Sequence, residues 1–157
     1  MEAEKAIPVQ NEKRDHVAIF VVTAGKGVRE RSEAAKNAGY YFRSRGPQSL
    51  AIETAEACAE WLHRRIPTGG LGFPDPPDMT MAQRFTSRCR GKRYSFGYPA
   101  CPELEDQAGI WKLLKPEEIG VELTEGFMMD PEVSVSALAF IHPDCTYFSV
   151  SEAPENY

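Results

Sequence analysis

Val17-Ala18-Ile19-Phe20-Val21-Val22-Thr23 is an unbroken apolar run rich in β-branched residues, closed by Ala24-Gly25-Lys26-Gly27. Such a run, ended by glycines, reads as a buried strand. From Val28 onward the pattern turns helical. Further on, Ala51, Ala55, Cys58, Ala59, Leu62 and Ile66 follow the i, i+4, i+7, i+8 stripe of an amphipathic helix, which Pro67-Thr68-Gly69-Gly70 ends. Residues 67–78 read as a Pro/Gly-rich loop, Met79 to Cys89 as a short helix, and Gln107 to Leu114 as another, stopped by Pro116. Val121 to Met129 and Ser134 to Ile141 read as strands, and Tyr147 to Val150 as a further candidate. Strands at both ends around helices predict an α+β fold: a mainly antiparallel, twisted sheet flanked by helices.

The chain has 157 residues, 42% hydrophobic and 26% charged. That is one globular domain's worth of core, expected over 16–157 behind a flexible lead-in at 1–15. A net charge of −5 argues against generic nucleic-acid binding. No apolar run reaches the ~18 residues of a spanning helix, and Met1 to Arg14 lacks a signal-peptide core. No membrane or nucleic-acid partner is therefore expected. Cys58, Cys89, Cys101 and Cys145 form no Cys-x-x-Cys pair, which supports neither zinc nor a disulfide framework. They read as reduced thiols of a cytoplasmic protein, with Cys58 on a helix.

A second stretch carries the chemistry. Arg93-Tyr94-Ser95-Phe96-Gly97-Tyr98-Pro99-Ala100-Cys101-Pro102 puts a cation, a glycine, three aromatics and two prolines into ten residues. It reads as a semi-rigid loop: glycine lets a ligand approach the main chain, the prolines fix φ, and arginine offers a planar fork for a carboxylate. The plain alternative is a rigid surface turn with core aromatics.

This segment resembles the S-adenosylmethionine-binding loop of the activation domain of cobalamin-dependent methionine synthase, Arg-x-Ala-x-Gly-Tyr followed by Pro-Ala-Cys-Pro, with Ser95 in place of the alanine. The similarity runs over roughly residues 16 to 150. It takes in His16 to Gly25, Glu56-Ala57-Cys58-Ala59-Glu60-Trp61-Leu62-His63, Leu123-Thr124-Glu125-Gly126-Phe127-Met128-Met129, Ser134-Val135-Ser136 and His142-Pro143-Asp144.

The resemblance implies a module that binds S-adenosylmethionine and supports reductive methylation of a cobalamin carried by a partner domain or corrinoid protein, with a flavodoxin-like electron donor. The cofactors supply the chemistry and the protein supplies position. It implies that Arg93 holds the methionine carboxylate, Ser95 and Gly97 offer backbone contacts, Tyr98 a side-chain contact, and Tyr147 a contact to adenine. Glu56 would line the site, where a carboxylate stabilises the sulfonium or organises water. No catalytic acid, base or metal ligand is expected. The chain would be a component of methionine synthase, without complete methyltransferase activity alone. The alternative is a non-catalytic interaction subunit that docks on a corrinoid protein without binding S-adenosylmethionine.

Other motifs are weaker. Thr23-Ala24-Gly25-Lys26-Gly27 matches neither phosphate-binding glycine pattern, because Glu30 takes the last position of Gly-x-Gly-x-x-Gly. It reads as a strand-to-helix turn. Glu53, Glu56 and Glu60 share one helix side; for Glu53 and Glu60 a solvated face is the expectation. Arg84, Arg88, Arg90, Lys92 and Arg93 form a basic run, either a solvated face or a docking patch for the acidic electron donor.

Three departures from the family stand out. The family domain is longer at its amino end, where an aspartate meets the methionine amino group, so this chain reads as truncated. Ser87 takes the place of a glutamate six residues before the arginine. Gly46-Pro47 falls inside a helix that is continuous in the family. An interior proline costs about 3 kcal/mol, so a break or kink is expected there.

Overall fold

The computed structural model describes residues 16–70, 73–86 and 88–150. The expected lead-in at 1–15 and the position of Ser87 lie outside them. Strand β1 (Val17–Thr23) leads through a glycine turn into helix α1 (Val28–Asn37) and the long helix α2 (Tyr41–Thr68). A proline-rich connection and the short helix α3 (Met81–Phe85) precede strand β2 (Lys92–Tyr94). One 3-10 turn, Leu104–Asp106, runs into α4 (Gln107–Leu114), and another, Pro116–Ile119, follows it. The hairpin β3 (Glu122–Leu123) and β4 (Met129–Asp130) leads to β5 (Ser134–Phe140).

The main sheet has the order β1-β5-β2. Both pairings are antiparallel: Val17 to Thr23 against Phe140 to Ser134, and Lys92 to Tyr94 against Phe140 to Leu138. β5 is thus the central strand, and six of its seven residues are buried or nearly so on both faces. Alternation sends Phe20, Val135, Ala137 and Ala139 to one face, where they meet Ala55 and Ala59 of α2, with Leu62 and Ile66 beside them. The opposite face brings Ile19, Val21, Phe96 and Leu138 against Ile110 and Trp111 of α4 and Val121. The α+β reading holds in layers as well as in content.

The turn after β1 is a close-packed corner. The Gly25 N–H donates to the Thr23 hydroxyl (3.1 Å), and a Cβ on Gly25 would sit 2.3 Å from the Pro131 side chain. Gly27 then enters α1 with φ 74°, a left-handed conformation glycine adopts without strain.

Four expectations need correction. Gly46-Pro47 does not break α2, which runs unbroken from Tyr41 to Thr68 with Pro47 inside it. Proline removes one i→i−4 bond, but Ser44 and Ala51 are buried on either side, and the Ser32 hydroxyl donates to the Ser44 carbonyl (2.5 Å). Tertiary packing offsets the lost bond. Cys58, placed on the buried stripe, is exposed; the stripe continues through His63 and Pro67 instead. Val121 to Met129 is a short hairpin rather than one strand. The Phe127 N–H donates to the Thr124 carbonyl (2.9 Å), the Thr124 N–H to the Met128 carbonyl (2.8 Å), and Phe127 sits at φ 58°. Tyr147 to Val150 joins no ladder.

Candidate functional site

Arg93 lies on β2, not in the loop that follows, opposite Ala139 of β5. That register points it to the α2 face of the sheet. Its Nη2 donates to Glu56 Oε2 at 3.0 Å. Nη1 is buried and has no hydrogen-bond partner among the described residues. An unpaired guanidinium nitrogen out of water costs free energy, and a ligand oxyanion would satisfy it.

Both residues line a cleft of about 660 Å³ between α2, α3 and β2. Glu53, Glu56, Glu60, His63 and Arg64 of α2 form one wall, Lys92 and Arg93 the other, and Tyr147 also lines it. Glu53 and Glu60 therefore stand where helical spacing puts them, at i−3 and i+4 of Glu56, but they face a cleft and not open solvent alone. That spacing was the available signal; which helix face meets β2 was not. His63, at i+7, is buried. Burial pushes its pKa down, Glu60 and Asp75 oppose this, and Arg93 and Lys92 reinforce it. Such a cleft, with carboxylates across from an arginine, suits a ligand with an anionic end and a cationic centre.

Ser95, Gly97 and Tyr98 are outside the cleft lining. Ser95 is half-buried just past β2. Gly97 turns at φ 80° over the Leu104 side chain. Its N–H donates to the Cys101 carbonyl and the Cys101 N–H to the Tyr98 carbonyl, both at 2.8 Å. The Tyr98 side chain is exposed. Phe96 and buried Ala100 hold the loop to the protein, so its semi-rigid character comes from packing as well as from its prolines.

Several cations of the basic run are held by local hydrogen bonds, while Arg88 and Arg90 are exposed. Arg84 approaches Asp75 (4.0 Å) and donates to the Met79 carbonyl. The Arg90 side chain donates to the Pro74 carbonyl and its N–H to Asp75 (2.7 Å). Lys92 Nζ donates to the Cys89 carbonyl (2.8 Å). These cations brace the proline-rich connection and β2. His142 is likewise structural in its contacts: its carbonyl accepts from Gly91 (2.9 Å), and its ring meets Phe73 edge-on.

Fold and site together define a small α+β module, with a charged cleft at the edge strand of an antiparallel sheet. Residues 5–156 match the family described as vitamin B12 dependent methionine synthase, activation domain, and the chain belongs to that family. It is 39% identical over 106 residues to methionine synthase of Mycobacterium tuberculosis (strain ATCC 25618 / H37Rv), and 37% identical to that of Mycobacterium leprae (strain TN). Each match covers 64% of this chain and 9% of the longer enzyme. The crystal structure of the MetH reactivation domain bound to AdoHcy shares the fold, with a TM-score of 0.77 and 34% identity over 85% of this chain and 42% of that one. No described helix is long and apolar enough to cross a membrane.

Proposed function

We propose that this chain binds S-adenosylmethionine and supports reductive methylation of a cobalamin carried by a partner domain or protein, as part of a methionine synthase system in the cytoplasm. The observation that carries the reading is the buried, unpartnered Nη1 of Arg93 beside a cleft walled by carboxylates. Family membership and the AdoHcy bound by the related reactivation domain support it. The reading treats 16–157 as one domain and takes a flavodoxin-like protein as the electron donor.

In this reading Arg93 binds the methionine carboxylate with Nη1 while Glu56 holds Nη2, so the guanidinium stays in one orientation. Glu56 and Glu60 lower the potential where the sulfonium sits, and Tyr147 bounds the adenosyl end. Ser95, Gly97 and Tyr98 contact the ligand beyond the cleft, across the turn that Phe96 anchors. Cobalamin, when bound by the partner, supplies the methyl-accepting metal centre. The residues here need only hold the methyl donor in line, which is a proximity effect.

Calorimetric titration with S-adenosylmethionine tests the reading. Saturable binding is expected, weakened in Arg93→Ala by about 1.5–3 kcal/mol, the worth of a charge-assisted hydrogen bond. A wild-type chain that takes up no ligand at millimolar concentration would refute it and favour the interaction subunit.

A further inference from the structure

Arg93 and Tyr94 are neighbours on an edge strand, so their side chains leave opposite faces. Arg93 enters the cleft. Tyr94 is buried at 7% exposure, between Phe140 of β5 and the segment that follows it. That segment runs back alongside β2. The Gly91 N–H donates to the His142 carbonyl (2.9 Å) at one end, and the Val150 N–H donates to the Pro99 carbonyl (2.9 Å) at the other. Between them the Tyr94 hydroxyl donates to the Thr146 carbonyl at 2.6 Å. The Tyr94 ring stacks on Tyr147, with centroids 5.7 Å apart and planes 14° from parallel. Phe140 and Phe148 flank the same ring.

We infer that Tyr94 is a positioning residue that clamps the 142–150 strap to β2, and so sets where Tyr147 stands relative to Arg93. The inference rests on the S-adenosylmethionine reading above. Its physical content is a fixed span between the residue for the carboxylate end and the residue for the nucleoside end. The strap joins no ladder, and the hydrogen bond and ring contacts of Tyr94 help to locate it. Tyr147 is itself half-exposed and stacks on the Tyr94 ring. Tyr94→Phe keeps the stacking ring and deletes only the hydrogen bond; Tyr94→Leu deletes both. Neither touches Arg93 or Glu56.

The experiment compares two non-reactive ligands, S-adenosylhomocysteine and its hypoxanthine counterpart S-inosylhomocysteine, on wild type and both variants. A clamp that places the base-contacting segment makes the ratio of the two affinities depend on Tyr94. Loss of one neutral hydrogen bond corresponds to about threefold to tenfold in affinity. The expected result is a loss of that size for S-adenosylhomocysteine in Tyr94→Phe, a larger loss in Tyr94→Leu, and a ratio that falls toward one. Equal losses for both ligands, or none, in a wild type that binds would overturn the clamp and leave the binding reading standing. No binding by the wild type would overturn both. A second measurement needs no variant: hydrogen exchange on the wild type with S-adenosylhomocysteine. Amides of 145–148 should gain protection together with those of 93–98, and protection confined to 93–98 would overturn the clamp.

Discussion

The two faces of the β1-β5-β2 sheet are packed by opposite means. Toward α2 the contact is built largely from alanines: Ala55 and Ala59 of the helix meet Ala137 and Ala139 of β5, and all four are fully enclosed or nearly so. Small side chains let a helix axis approach a sheet closely. That approach brings Glu56 within 3.0 Å of Arg93. Toward α4 the contact is built from Ile110, Trp111, Val121 and Leu138. It also includes a buried polar bridge, in which the Ser136 hydroxyl donates to Gln107 (2.6 Å) and Gln107 donates to the Phe127 carbonyl (2.8 Å). One face is thin and carries the cleft. The other is thick and supplies bulk.

The contrast makes deletion the damaging change on the thick face and addition the damaging change on the thin one. Ile110→Ala should lower unfolding free energy by roughly 2–5 kcal/mol, because the cavity adds to the lost transfer energy. Urea denaturation measures this, and a loss under about 1 kcal/mol would mean the α4 face is not the tightly filled one. Ala59→Leu should cost about 1–3 kcal/mol through overpacking and should also weaken S-adenosylmethionine binding, since α2 must move away from β2. Destabilisation with ligand affinity intact would break the link between the alanine contact and the cleft.

The smallest expected effect sharpens the same point from the rim of the thin face. His63 has its pKa lowered from 6.5, first by burial, with Arg93 and Lys92 in the same direction and Glu60 and Asp75 against it. A lowered folded-state value means the unfolded chain binds more protons in the window just below 6.5. Stability should be undiminished by His63 above that pH and decline as pH falls through the window. His63→Gln should flatten this part of a Tm-against-pH curve; an unchanged slope would assign the acid sensitivity to another group.

Elements written in local pattern were legible. β1 was a contiguous apolar run, α4 lay between a turn and Pro116, and β5 was a mixed apolar stretch after Asp130-Pro131. The α2 stripe was legible at Ala51, Ala55, Ala59, Leu62 and Ile66. It failed at Cys58, although free cysteine is among the most often buried residue types, and missed His63, which continues the stripe four residues after Ala59. Pro47 misled because propensity counts the lost hydrogen bond and cannot count the packing of α1. The hairpin in 121–130 was hidden because Phe127 adopts positive φ without being glycine. In the site, three of the residues picked out beforehand, Glu56, Arg93 and Tyr147, line one cleft. Ser95, Gly97 and Tyr98 lie past its edge, although all are close to Arg93 in sequence.

The amino-acid sequence alone determined the α+β class, the central strands and the arginine-aromatic-glycine-proline stretch, because periodicity and local backbone preference are properties of neighbours along the chain. Only the tertiary structure decided which helix face meets β2, that Arg93 pairs with Glu56 across 37 positions, and that Tyr94 stacks on Tyr147 from 53 residues away. Those are properties of strand register and of helix approach. They arise when alanines on two distant segments allow close packing, and nothing in either segment by itself specifies the other.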